Sequence, residues 1–370
     1  MPPTLSTLLS VGVSVMVSMT KSAHGAQPVS LAVPILEQHS SLETRSGGFV
    51  YQLARIPAPT GGVSLASFSL ASALALAESQ QLLLPGLAGF FVPLLLALGG
   101  FWLLPLLSKY LLQPRLLLNE LAHPVLGSVL PTAAMAMMVA ASWLVQLDTA
   151  AAQQAGVVLW SGAVALHAVL LIGFCGRQWR LFSLDRMVPS WFVPPIGIVV
   201  ACVTAPAMGL ELVAQPLFWF GLVAYGIKLP VMLYRLLFVE RIPESALCTF
   251  AIMGAPASLL LAGYLSCFDT PNHLLVLLLA PIALSMTALV YLALIKLLQL
   301  PFSPGYAAFT FPLVIGATAQ LLLSQWAQQN GMAELAELTA IAGLGELVVA
   351  AVMVLYVSGH YISALFKSAF

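Results

Sequence analysis

The stretch "FTFPLVIGATAQ", residues 309–320, decides how this chain must fold. It lies within a long apolar run, yet Pro312 stands in its middle and a phenylalanine flanks Thr310 on each side. Proline cannot donate to the helical hydrogen-bond ladder, and its ring crowds the carbonyl four residues earlier. In lipid, such a break is tolerated only where protein or a water-filled cavity surrounds it. The stretch therefore predicts a membrane helix whose interruption faces the interior of the protein.

The composition of the 370 residues indicates a membrane protein. The chain is 61% hydrophobic and 7% charged, with a mean hydropathy of +1.01, whereas soluble domains carry about 25% charged residues. We predict an all-α integral membrane domain over residues 51–370, with ten transmembrane helices numbered spans one to ten. The predicted spans are residues 56–77, 84–107, 124–147, 155–175, 189–208, 215–238, 245–266, 273–299, 305–325 and 339–366.

The first 50 residues differ from the rest of the chain. Residues 20–50 are rich in Ser, Gln, Glu and Gly, a composition typical of disorder, so residues 1–50 are expected to form a disordered N-terminal arm. The apolar stretch "TLLSVGVSVMVSM" has the length of a signal peptide but lacks a basic start. A signal peptide, a cytoplasmic tail and an error in the start site all stay open.

The basic residues lie on one side of the predicted membrane. The connections that follow the five odd-numbered spans contain acidic residues but neither Lys nor Arg, whereas basic residues occur at both termini and in the other connections or at the span ends beside them. Cytoplasmic loops of membrane proteins carry an excess of Lys and Arg. Both termini are therefore predicted to be cytoplasmic, and the protein is expected to cross the inner (plasma) membrane many times.

Proline recurs in the odd-numbered spans at a spacing of roughly 55–75 residues, which is the length of one helical hairpin with its loops. This repeat predicts five hairpins whose broken helices surround a shared cavity, where irregular backbone is tolerated. Independent kinks repaired by neighbouring helices are the alternative. The expected kinks are at Pro59, Pro131, Pro194, Pro195, Pro256 and Pro312.

Few residues within the spans carry charge. Lys228 lies inside span six, where it either extends toward the cytoplasmic boundary or has an ion-related role. Arg55 opens span one, where it either anchors the helix or attracts anions, and His167 of span four is interpreted as a buried structural histidine. Since no metal-ligand or phosphate-binding pattern occurs, we expect no enzyme activity, no metal, no cofactor and no nucleic acid partner.

The order of several motifs resembles the tellurite-resistance/dicarboxylate transporter family, which includes a bacterial tellurite-resistance channel and the plant slow anion channel. The motifs are "RIPAPTGGVSLASFSLASALALA" in span one, "HPVLGSVLP" before span three, "PESALCTFAIMGAPASLLLAGYLS" in span seven and "FSPGYAAFTFPLVIGATAQ" in span nine. The resemblance implies five hairpins with quasi-fivefold symmetry, a central pore lined by the odd spans, and a homotrimer. It also implies a pore-blocking phenylalanine at Phe311, with Phe309 as the fallback. Packing of both rings in a helix interface is the alternative.

The expected function follows from the small, uncharged residues of the odd-numbered spans, among them Gly62, Ser64 and Thr318. They predict a narrow lumen lined by hydroxyl groups and backbone, which binds ions weakly and suits fast passage. We therefore expect a gated anion conduit for chloride, nitrate, tellurite, sulfite or a dicarboxylate. A coupled transporter of C4-dicarboxylates such as malate, or of sulfite, is the alternative, and a scaffold or sensor without flux is a third hypothesis.

Overall fold

The computed structural model describes residues 48–180, 182–239 and 241–367. The predicted N-terminal arm lies outside these residues, apart from the first positions of a short helix, Gly48–Ala54. Within the described chain, ten helices are long and apolar enough to cross a membrane, which confirms the all-α membrane fold. They are Thr60–Ser79, Leu87–Leu112, Leu126–Leu144, Ala150–Trp179, Pro189–Met208, Glu211–Phe238, Glu244–Cys267, His273–Leu297, Pro304–Gln329 and Ala333–Phe366.

Several spans extend beyond the apolar runs that predicted them. Span four occupies Ala150–Trp179, and span ten begins at Ala333, because both helices continue past the apolar core into polar surroundings. A short helix, Pro114–Ala122, connects spans two and three, and a single 3-10 turn, Leu184–Arg186, lies between spans four and five. Boundaries set by hydropathy alone therefore underestimate these helices.

Burial separates the odd-numbered spans from the even-numbered ones. Between 72% and 94% of the most apolar window of each odd-numbered span is buried, whereas the even-numbered spans bury only 22–39%. Exposed side chains of the even-numbered spans are large and apolar, as at Leu94, Val169 and Val223, and such surfaces suit contact with lipid. The odd-numbered spans are thus inner helices and the even-numbered spans are outer helices.

Inner spans pack closely on the outer spans that follow them, at small residues. Ser64 Oγ of span one donates to the carbonyl of Gly99 in span two at 2.8 Å. Ser324 Oγ of span nine donates to the carbonyl of Ala336 in span ten at 2.7 Å. Small and hydroxyl-bearing residues are typical of helix contacts in membranes, because they let the backbones approach. The quasi-fivefold relation among the hairpins stays a prediction.

The prolines of the inner spans begin α-helices, and this corrects the expectation of kinks within continuous helices. Pro131, Pro256 and Pro312 each occupy the first or second position of an α-helical segment. The 3-10 helices Glu244–Gly254 and Pro304–Phe309 precede the last two. A proline costs little in the first turn, where its missing N–H would have no helical acceptor. The breaks at Pro256 and Pro312 are therefore changes from 3-10 to α-helix, whereas the break at Pro131 separates two α-helical segments, Leu126–Val129 and Pro131–Leu144.

The prolines of spans one and five also lie where helical segments begin. Pro59 is the residue immediately before the α-helix Thr60–Ser79. Pro194 and Pro195 lie in a single α-helical turn, Val193–Ile196, after which span five alternates between 3-10 and α-helical turns as far as Met208. Span five is the least regular inner helix, since two adjacent prolines remove two successive donors from its backbone.

Candidate functional site

The five inner spans enclose a cavity of about 80 Å³. Among the described residues, all those that line it belong to the inner spans or to the residues immediately before them, and one example from each span is Gly62, Val129, Ile196, Leu259 and Phe311. Since a water molecule takes up about 30 Å³ in the liquid, the cavity has room for only a few. It is a narrow central chamber.

The cavity lies at the level where the inner spans become α-helical. α-Helices begin at Thr60, Pro131, Ala255 and Phe311, and residues of all four first turns or of the preceding position line the cavity. N–H groups of these first turns donate to carbonyls of the preceding segment, as Gly61 N does to Ala58 O, Ala133 N to Leu130 O and Leu313 N to Thr310 O. The α-helices therefore begin at one level in four inner spans, around the chamber.

The side chains that line the cavity are almost entirely apolar. In the described lining, polar groups are limited to two threonines, and both hydroxyls donate to carbonyls of their own chain segment. Thr132 Oγ1 donates to Val129 O and Thr249 Oγ1 donates to Ala246 O, each at 2.6 Å. The expected lumen of hydroxyl groups is thus replaced by an apolar wall, and Ser64 instead binds the outer span that follows it.

Phe311 and Phe309 lie on opposite sides of the break at Thr310. The Phe311 ring lines the cavity and is 8% exposed, whereas Phe309 is fully buried and packs against Tyr306 with 4.8 Å between ring centroids. Thr310 Oγ1 donates to the carbonyl of Ala307 at 2.7 Å, which holds the break in place. Only one of the two predicted phenylalanines therefore borders the central chamber.

The remaining predicted site residues divide into two groups. Pro59, Pro256 and Pro312 line the cavity, while Pro131, Pro194 and Pro195 are buried beside it without forming its wall. The two basic candidates, Lys228 and Arg55, are outside the lining. Arg55 is half-buried in the turn before span one, and Lys228 Nζ donates to the carbonyl of Trp191 at 2.8 Å.

Polar side chains of the outer spans reach the first residues of the inner spans. Lys109 Nζ donates to Ile56 O at 2.7 Å, and Tyr361 OH donates to Pro304 O at 2.5 Å. His167 Nε2 pairs with Pro194 O at 2.8 Å, which confirms the interpretation of a structural histidine. An unpaired carbonyl within the membrane costs several kcal/mol, so these contacts stabilise the breaks around the chamber.

Sequence reasoning missed this role of Lys109 and Tyr361. Lys109 also forms a buried ion pair with Glu120, with 2.6 Å between Nζ and Oε1, and Tyr110 OH donates to the second carboxylate oxygen at 2.6 Å. The sequence signal for this role was weak, because a lysine near the end of an apolar run is equally typical of a residue that sets the membrane topology.

The "HPV" motif has a local role at the beginning of span three. His123 Nδ1 accepts hydrogen bonds from the main-chain N–H groups of Val125 and Leu126, each at 3.2 Å. Burial and the positive charge of Arg186 lower the pKa of His123 below its ordinary value. The ring is therefore neutral at pH 7, which leaves Nδ1 free to accept and caps the helix.

These features define a class of protein. Ten membrane-crossing helices, five of which line an apolar chamber, form the arrangement of a polytopic membrane transport protein.

The family follows from comparison with known proteins. The family model described as "Voltage-dependent anion channel" matches residues 55–362. The chain therefore belongs to this family, the one that its motifs resemble, and it is a membrane anion transporter. Two proteins of Methanocaldococcus jannaschii named as uncharacterized transporters are similar to it. One is 25% identical over 250 residues, which is 60% of this chain and 69% of the relative. The other is 23% identical over 238 residues, 57% of this chain and 67% of the relative.

Proposed function

We propose that this chain is a passive conduit for anions that Phe311 keeps closed. The observation that carries the proposal is the apolar chamber of about 80 Å³, which the five inner spans line and whose wall contains the Phe311 ring. A chamber of this size and polarity does not admit a hydrated ion, so the described arrangement corresponds to a closed conduit. Movement of one ring would widen the passage without rearranging the helices around it.

Selectivity for anions is supported by the family model, which is described as a voltage-dependent anion channel. No charged side chain occurs in the described lining, so an ion meets no strong binding site from which it must escape. Weak binding suits rapid flow. Chloride, nitrate, tellurite, sulfite and dicarboxylates are the candidate anions.

A coupled transporter for C4-dicarboxylates or sulfite is the second candidate, and the two relatives are named as transporters without a substrate. Coupling to protons requires a titratable group in the path of the substrate. The described lining contains no such group, which supports the conduit. The two mechanisms differ in turnover, since a conduit passes currents that a carrier cannot reach.

Orientation and assembly belong to the same proposal. The one-sided distribution of basic residues supports cytoplasmic termini and insertion in the inner (plasma) membrane. A reporter fused after Phe370 should be active in the cytoplasm, and a periplasmic reporter would overturn this orientation.

The homotrimer, with one conduit per subunit, rests on the family resemblance. The mass of the protein in detergent should correspond to three chains, and a monomer or dimer would contradict it.

The gate is tested by replacing each phenylalanine beside Thr310 with alanine. Phe311→Ala should raise anion conductance in planar bilayers or liposomes by about tenfold or more, because it removes the ring from the chamber wall. Phe309→Ala is the matched control, since this residue lies two positions away but packs on Tyr306. It should change conductance much less.

Two results would contradict the proposed gate. Near wild-type currents in both variants, at equal amounts of folded protein, would show that Phe311 does not close the path. Saturating flux driven by a proton gradient, without channel-like current in Phe311→Ala, would favour the coupled transporter. Measuring currents for chloride, nitrate, tellurite, sulfite and malate in the Phe311→Ala protein would rank the anions.

A further inference from the structure

A buried carboxyl group lies within the membrane on outer span ten. Glu346 is 6% exposed, and its Oε2 atom is buried with no hydrogen-bond partner among the described residues. The eight residues on either side of it along span ten carry no ionisable side chain. Since an ionised carboxylate without a partner is costly in hydrocarbon, acidic residues inside membrane helices mark functional sites.

Glu346 packs against the middle of inner span nine. A Cβ added to Gly316 would lie 2.6 Å from Glu346 Oε2 and 3.4 Å from Thr287 Oγ1 of outer span eight. The two oxygens are therefore at most about 6 Å apart, since both lie close to the same point. Any side chain at this position would displace the carboxyl group, so only glycine lets Glu346 reach span nine.

This contact is on a face of span nine that differs from the face of the proposed gate. Gly316 follows Phe311 by five residues, which corresponds to about 140° around an α-helix. Phe311 lines the chamber, whereas Gly316 is outside the lining. The carboxyl group and the gate thus meet different sides of one α-helix, a little more than one turn apart.

Spans nine and one present no cation to Glu346 in the part of the chain that the structure describes. Span nine carries no acidic or basic side chain, and its one ionisable group is Tyr306 in the 3-10 segment. The one ionisable group of span one is Glu78, whose oxygens accept from the main-chain N–H groups of Gly86 and Ala88. Neither span therefore supplies a counter-charge.

Span eight contributes a neutral hydroxyl group at this level. Tyr291 lies one turn after Thr287 on the same face, and its hydroxyl is also buried without a partner among the described residues. The nearest basic residue of this span is Lys296, nine residues after Thr287 and thus about 13 Å further along the helix. A phenol does not neutralise a carboxylate, so the form that this site accommodates is the protonated carboxyl group.

We propose that Glu346 is a proton-binding site that holds span nine in its closed packing. The protonated carboxyl group fits against Gly316. Loss of the proton leaves an unpaired carboxylate, which draws in water or a cation and forces spans nine and ten apart. Because span nine also carries Phe311, proton release loosens the gate. This last step rests on the proposed conduit, whereas proton binding does not.

Infrared spectroscopy detects the bound proton directly, because the carbonyl stretch of a protonated carboxylic acid is separated from the bands of carboxylates and amides. The spectrum of the purified protein minus that of Glu346→Gln, both in detergent at pH 7, should contain this band with the intensity of one carboxyl group per chain. Glu337→Gln is the matched control, since Glu337 lies on the same helix but is exposed. Its difference spectrum should lack the band.

Two glycine variants test the contact with span nine. Gly316→Ala should shift the band of Glu346, because the new Cβ displaces the carboxyl group. Gly345→Ala is the control, since it is next to Glu346 in the sequence and a Cβ there meets nothing within 4 Å. It should leave the band unchanged. An unchanged band in Gly316→Ala would contradict the packing of the carboxyl group on span nine.

The link to the gate is measured as anion conductance against pH. As the pH is raised until the infrared band of Glu346 is lost, the conductance of the wild type should increase about fivefold or more. Glu346→Gln keeps the uncharged form at every pH, so it should show no such increase.

The outcomes that overturn each step are separate. Absence of the band from the difference spectrum, with both proteins folded, would show that Glu346 is ionised and would overturn the proton-binding site. A wild-type conductance that does not change with pH, while Phe311→Ala conducts, would overturn the link to the gate. A Phe311→Ala protein that does not conduct would overturn the conduit alone, because the infrared band does not depend on flux.

Discussion

Lys228 of outer span six supplies the hydrogen bond that the carbonyl of Trp191 in span five cannot obtain from its own helix, over 2.8 Å. The helical donors for this carbonyl would be the residues three and four positions later, and these are Pro194 and Pro195. Neither proline has an N–H. A lysine that looks unusual in an apolar run is therefore paired with the backbone defect that two prolines create.

Lys228→Met should lower stability and leave ion selectivity unchanged. The variant keeps the length of the side chain but leaves the Trp191 carbonyl unpaired, which should cost about 1–2 kcal/mol in the free energy of unfolding. Unfolding in mixed micelles measures the first effect, and the ratio of anion to cation permeability in the Phe311→Ala background measures the second. An altered permeability ratio with unchanged stability would instead give Lys228 an ion-related role.

Breaking the buried pair of Lys109 and Glu120 should be strongly destabilising. Lys109→Met leaves the carboxylate of Glu120 without its cation and the carbonyl of Ile56 without its donor, so we expect a loss of about 3–5 kcal/mol. The double variant Lys109→Met/Glu120→Gln should lose less than the sum of the single variants, because no unpaired charge remains. Additive losses in the unfolding free energy would show that the two groups do not interact.

Gly61 of span one and Gly100 of span two should respond differently to alanine. A Cβ at Gly61 would lie 2.7 Å from Thr132 Oγ1 and 3.0 Å from the backbone nitrogen of Ala133, so Gly61→Ala should cost about 2 kcal/mol of stability. Gly100→Ala on outer span two is the control, since a Cβ there meets nothing within 4 Å. A normal unfolding temperature for Gly61→Ala would contradict this account of the contact between spans one and three.

Gly62→Ala should act on flux instead of folding. Its Cβ would lie 3.5 Å from Ala307 Cβ, an ordinary contact. The added methyl group occupies about the volume of a water molecule, ~30 Å³, which is a large part of the chamber. In the Phe311→Ala background it should lower anion flux about twofold or more at unchanged stability. Unchanged flux would indicate that ions do not pass beside Gly62.

The two phenylalanines beside Thr310 should also differ in their contribution to stability. Phe309 is fully buried against Tyr306, so Phe309→Ala should lower the free energy of unfolding by about 3–5 kcal/mol. Phe311 already borders an open space, and its truncation should cost only about 1–2 kcal/mol. Equal losses in the two variants would mean that Phe311 is an ordinary core residue.

Much of the fold could be predicted because its signals are local. Apolar runs long enough to cross the membrane predicted ten spans, and the structure has ten such helices. The alternate prolines identified which spans differ from the rest, and those are the inner ones. Helix ends were less well predicted, as at Ala333, because a helix continues into polar residues that a hydropathy pattern excludes.

The role of the prolines and the partners of the polar residues could not be predicted in this way. Whether Pro312 kinks a helix or begins one depends on the backbone before it, which here is the 3-10 helix Pro304–Phe309. Likewise, Lys228 and Trp191 are far apart in the sequence, and no periodicity links a side chain to a carbonyl on another helix.

The sequence by itself determined that this chain is a ten-span membrane protein, because hydrophobic length and composition are properties of each segment alone. Only the tertiary structure decided that Phe311 and not Phe309 borders the chamber, and that Lys228 donates to the carbonyl of Trp191. Both depend on how helices are rotated and packed against one another. The rotation of each helix is set by side-chain contacts across the whole inner layer, and the sequence of one segment does not specify which residues pack against it.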